Sequence, residues 1–165
     1  MEVLMCPTVV VSLSKTVYEE ISKKARERGL TLEEFLVEVA GEGVDPESRA
    51  EIYVKVSREL LEEAEDELEK GDLRQASEKI WGAAALSLKA YAYYREGRRL
   101  TSHGELWEYK DVVAEELGDW VTDSWFAATA MHTNFYEGWA TPRDVREALE
   151  RVKRLIDAIS ERIGR

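Results

Sequence analysis

Residues 141–164 read TPRDVREALERVKRLIDAISERIG. Val145, Leu149, Val152, Ile156, Ile159 and Ile163 recur every three or four positions, with Arg, Glu, Lys and Asp between them. That period lines the apolar side chains along one stripe of an α-helix and the charges along the other. Thr141 before Pro142 is a helix opening: the threonine caps unpaired N–H groups, and the proline has none to satisfy. So long an apolar seam needs other helices to cover it, so this segment points to an all-α assembly.

The same logic extends back along the chain. A helix is expected from about Asp45 to Lys70, opened by Pro46, with Ile52, Val56, Leu60, Ala64 and Leu68 in one stripe. Gly71 stops it and Asp72 caps the next, which runs to about Arg95. This helix is rich in small residues: Ala76, Gly82, Ala83, Ala84, Ala85, Ser87 and Ala90. Small side chains let neighbouring backbones approach, which places it at the centre, with Trp81, Tyr91, Tyr93 and Tyr94 filling the space around it. Ser102 and Glu105 form a capping box for a helix to about Leu117. Another follows from Gly118-Asp119 to about Glu137, with Val121, Trp125, Ala128, His132 and Phe135 inward. Short connections favour antiparallel neighbours. The expectation for residues 45–165 is a five-helix antiparallel bundle.

Residues 1–44 read differently. Thr8 to Leu13 is a short β-branched run expected as a strand. Ser14 caps a helix to about Arg28, with Val17, Ile21 and Ala25 on one face, ended by Gly29. Thr31 caps a second, to about Ala40, with Glu34 completing its capping box and Leu32, Phe35, Leu36 and Val39 apolar. This strand-helix-helix module resembles the ribbon-helix-helix pattern, in which two chains pair their strands. A homodimer is therefore expected. The alternating strand residues Thr8, Val10 and Ser12 include no base, so DNA is not expected as a partner, and a DNA-binding regulator is a lesser alternative.

Composition narrows the classes further. The 165 residues carry a formal charge of −11, against broad nucleic-acid binding, while 44% hydrophobic content supports a core. The apolar stretch from about Ile80 to Leu88 is too short for a bilayer, and Glu2 stands where a secretory leader carries positive charge. No membrane association and a cytoplasmic location are expected. One cysteine, Cys6, excludes an intramolecular disulfide framework and a cysteine-rich zinc site. A single Gln (Gln75) and a single Asn (Asn134) among 35% charged residues fit a heat-adapted source. The run Glu59, Glu62, Glu63, Glu65, Asp66, Glu67, Glu69 reads as a solvated face.

Two histidines hold the chemistry. His103 follows the basic loop Arg95, Arg98, Arg99; His132 opens the block His132-Thr-Asn-Phe-Tyr-Glu-Gly-Trp139. On a helix His132, Phe135, Tyr136 and Trp139 share a side. Arg99, His103, His132, Asn134, Tyr136 and Trp139 are the candidate ligand-binding residues. Arg98, Arg99, His103 and His132 are the candidates for catalysis, should there be any. Two histidines lack a third metal ligand, so neither metal nor cofactor is expected.

The segments Gln75–Ala85, Ser102–Tyr109 and His132–Trp139 resemble the archaeal PaREP family, whose function is not established. The small-residue helix with Ala76, Glu78, Lys79 and Lys89, followed by a loop and a histidine, is also similar to the HEPN group (higher eukaryote and prokaryote nucleotide-binding domains). That resemblance implies a HEPN-like bundle, dimers, and, in active members, metal-independent ribonuclease chemistry from an Arg and a His four to six residues apart. Arg98 and His103 meet the spacing, but one loop earlier than the group places its pair. The expected function is a non-catalytic binding or regulatory module engaging a nucleotide, RNA or partner protein. The enzymatic alternative is a metal-independent endoribonuclease of toxin–antitoxin type, with His103 or His132 as general base and Arg98 or Arg99 on the phosphate.

Overall fold

Helix starts follow side-chain chemistry almost throughout. In α1 (Lys15–Glu27) the Ser14 hydroxyl accepts from the Val17 N–H. Reciprocal capping boxes open α2 (Leu32–Ala40) with Thr31 and Glu34, α5 (His103–Leu117) with Ser102 and Glu105, and α7 (Pro142–Ile163) with Thr141 and Asp144. Asp45 and Asp72 cap α3 (Pro46–Glu69) and α4 (Leu73–Glu96). Only α6 (Trp120–Glu137) starts without a side-chain cap. These assignments come from a computed structural model that describes residues 8–164. Among the described residues there are seven helices and no strand, so the chain is all-α.

The small residues of α4 do what their size permits. Ala76, Ala83, Ala84, Ala85 and Ala90 are fully buried, and α3, α5, α6 and α7 all pack against this helix. A Cβ at Gly82 would lie 3.4 Å from the Leu60 methyl, so α3 and α4 meet at ordinary van der Waals distance there. The α7 seam is buried throughout, from Val145 to Ile163. The outer tyrosine of α4, Tyr94, reaches the surface, while Tyr91 and Tyr93 stay inside.

The N-terminal segment departs from expectation. Thr8 to Leu13 forms no strand, and Val9, Val10 and Val11 are 83%, 91% and 71% exposed. A single extended segment finds no second edge among the described residues, so no ladder forms there. Residues 1–7, including Cys6, lie outside the described residues. The inward face of α2 also differs. Phe35 and Val37 are buried beside Glu34 and Glu38, while Leu36 and Val39 are left outside. The two glutamates go inward because Lys89 and Arg99 lie opposite them.

Candidate functional site

Three rings from three helices meet at the head of α5. The His132 ring of α6 stacks on Trp81 of α4, with centroids 4.6 Å apart and planes at 28°. His103, the first residue of α5, sets its ring edge-on to Trp81 at 5.4 Å and to His132 at 5.3 Å. Trp81 is held in turn by buried Trp125, 5.2 Å away. Tyr136 closes the other side of His132 at 5.7 Å and is itself 67% exposed. The two histidines thus share one corner of the molecule.

Burial lowers the His132 pKa from its ordinary 6.5; His103 adds to the effect and Glu34 opposes it. The neutral ring is favoured in the folded chain. A folded pKa below the unfolded one means the unfolded chain binds more protons in the window between them. Stability is therefore full above the unfolded value and falls as pH drops through it toward the folded one. Urea midpoints should decline as pH falls through the ordinary imidazole value of 6.5, and His132→Phe should flatten that decline. The capping carboxylates Asp45, Glu105 and Asp144 are held below their ordinary range by the backbone N–H groups that donate to them, which moves their titration away from this window. A slope unchanged in the variant would remove His132 as its source.

A cleft of about 500 Å³ opens next to His103. Arg28, Glu34, Lys89, Ser102, His103 and Gly104 are among its lining residues. Lys89 is 2% exposed, yet it stands 3.7 Å from Glu34 and 3.6 Å from Glu38. Glu38 also accepts from Arg99 at 2.7 Å and lies 3.8 Å from Arg28. A buried charge is tolerable only with such partners, which explains why α2 turns its glutamates inward.

The remaining candidates separate by geometry. Arg99 stands beside the cleft's ion cluster through Glu38. Arg98 instead pairs with Glu96 and Glu105 and lies 5.8 Å over the Tyr109 ring. Asn134 is fully buried: it donates to the Ser77 hydroxyl at 2.9 Å and accepts from the Ala140 N–H at 2.7 Å. Both ends of its amide are used in tying α4 to the turn before α7. Trp139 is half-exposed in that same turn. Among the described residues no His, Cys, Asp and Glu cluster could hold a metal. Glu34 and Lys89 escaped sequence reasoning as cleft residues, and Glu38 as their ion partner. One signal was available: Lys89 is the sole charge between Lys79 and Arg95.

The fold and the cleft define an all-α protein with a paired-histidine corner beside a buried ion cluster. The family profile of the archaeal PaREP1/PaREP8 family matches residues 52–156, more than half of the chain, and the chain belongs to that family. Trp81, Lys89, His103 and His132 lie inside the matched span, whereas Arg28, Glu34 and Glu38 precede it. No curated protein and no solved structure matches the chain. No helix of the described residues is long and apolar enough to cross a membrane.

Proposed function

We propose that this chain is a binding or regulatory module of HEPN-like type that takes a nucleotide or an RNA end in the cleft beside His103. The observation that carries this reading is the convergence of His103 and His132 on Trp81 at the edge of a cleft with Arg28 and Lys89 in its wall. Imidazole offers both donor and acceptor near neutral pH, and the cleft is of the size that small ligands occupy. The module acts in the cytoplasm of a heat-adapted cell and as a homodimer. The exposed Val9, Val10 and Val11 support pairing with a second copy, since an unpaired β-branched run invites another edge.

Calorimetric titration with AMP, ATP and a short single-stranded RNA tests the reading. At least one should bind, and His103→Ala should weaken it about tenfold or more, the usual cost of a lost polar ligand contact. Absence of binding by all three withdraws it.

A second reading, metal-independent RNA cleavage, is favoured by one observation. Two histidine rings stand with centroids 5.3 Å apart, and burial favours the neutral form of His132, the form a general base needs. Cleavage of single-stranded RNA in chelator, lost in both His103→Ala and His132→Ala, would establish it over the binding role.

A further inference from the structure

Resting on the nucleotide or RNA reading, we propose that the cleft contains an oxyanion subsite for a phosphate monoester, built from the Lys89 ammonium and the first turn of α5.

Lys89 supplies the first observation. The residue lines the cleft, and its Nζ is buried and makes no hydrogen bond among the described residues. Its carboxylate neighbours at 3.6–3.7 Å give charge compensation without meeting its donors. A buried ammonium carries three donors, and leaving them unmet is costly, so a ligand acceptor has something to gain there.

The head of α5 supplies the second. Of its first-turn N–H groups, that of Glu105 goes to the Ser102 hydroxyl. Those of Thr101 and Ser102, just before the helix, go to the Glu105 carboxylate. The N–H groups of His103 and Gly104 have no partner among the described residues, and both residues line the cleft. Unpaired N–H groups at a helix N-terminus favour an anion through donors and dipole together. Gly104 keeps the approach open: a Cβ there would find only the Ser102 hydroxyl, 3.8 Å away.

Charge agrees. Arg28, Lys89 and Arg99 face Glu34 and Glu38, which leaves one cation in excess inside a chain of net charge −11. Glu34 also commits its other oxygen to the Thr31 N–H, and Glu27 at the cleft edge is paired with Lys23. Donors arriving from α4 and from α5 suit a tetrahedral group with three terminal oxygens better than a planar carboxylate.

The experiment compares AMP with adenosine on the full chain by calorimetry, with inorganic phosphate as competitor. Two variants accompany it: Lys89→Met, which removes the ammonium, and Gly104→Val, which keeps every charge and fills the approach. Melting curves confirm that each is folded, and Gly104→Val serves alone if Lys89→Met is not. The expected result is AMP binding about tenfold or more tighter than adenosine, displacement by phosphate, and loss of that preference in the variants with adenosine affinity retained. Equal affinity for AMP and adenosine overturns the subsite while the nucleotide reading stands. Binding of phosphate without any nucleoside preference supports the subsite and overturns the nucleotide reading. No binding of any of the three overturns the subsite, and the binding reading falls with it if ATP and single-stranded RNA also fail to bind.

Discussion

Trp125→Ala should lower the melting temperature by about 6–20 °C. The indole is fully buried on α6, and truncating a tryptophan in a closed core costs roughly 3–5 kcal/mol. For a chain of this size each kcal/mol moves the midpoint by about 2–4 °C. The location makes the upper part of that range reasonable. Trp125 stands 5.2 Å from Trp81 and 6.1 Å from Trp107, so its loss opens a void between α4, α5 and α6 rather than at an edge that can collapse. Trp81 is also the surface on which His132 stacks, so ring-current shifts of the histidine protons should change with it. A calorimetric midpoint within about 2 °C of the parent would mean that this core is not packed as described.

Asn134→Leu should be nearly as damaging, for another reason. The side chain is close to isosteric, so little volume is lost. What is lost is a donor to Ser77 and an acceptor for Ala140 N–H, both in a buried setting. The Ala140 N–H is orphaned at about 1–3 kcal/mol, while the Ser77 hydroxyl keeps its bond to the Leu73 carbonyl and forfeits about 0.5–1.5 kcal/mol, so roughly 1.5–4.5 kcal/mol should be lost, read as a shift in urea midpoint at constant slope. Ligand affinity per folded molecule should hold, because the amide is spent inside the protein. If the variant instead keeps its stability and loses AMP, Asn134 belongs with the ligand-binding residues after all.

That contrast shows how far residue types carry a reading of this chain. His132 and Asn134 stand two positions apart in one block, and both are polar residues in an apolar helix. Nothing in their spacing tells that one stacks on Trp81 beside His103 while the other closes a buried bond to a turn. The distinction is made by α4 and the α7 opening, which come from far along the chain. Glu34 and Glu38 illustrate the reverse. Capping chemistry accounts for Glu34 fully, and an exposed helix face would account for Glu38. Their burial follows from Lys89 and Arg99 lying opposite, an arrangement that charge counting along a single segment does not reveal.

Helix content, the ends of most helices and the buried seam of α7 are properties of neighbours three or four residues apart, so the order of amino acids was sufficient for them. The same holds for α4 at the centre, because side-chain volume limits how closely backbones approach. The pairing of His103 with His132, the ion cluster under α2 and the unpaired state of Thr8–Leu13 depend on segments distant in sequence. Packing alone settles which charge meets which and whether an edge finds a partner, since electrostatics and hydrogen bonding act across space rather than along the chain.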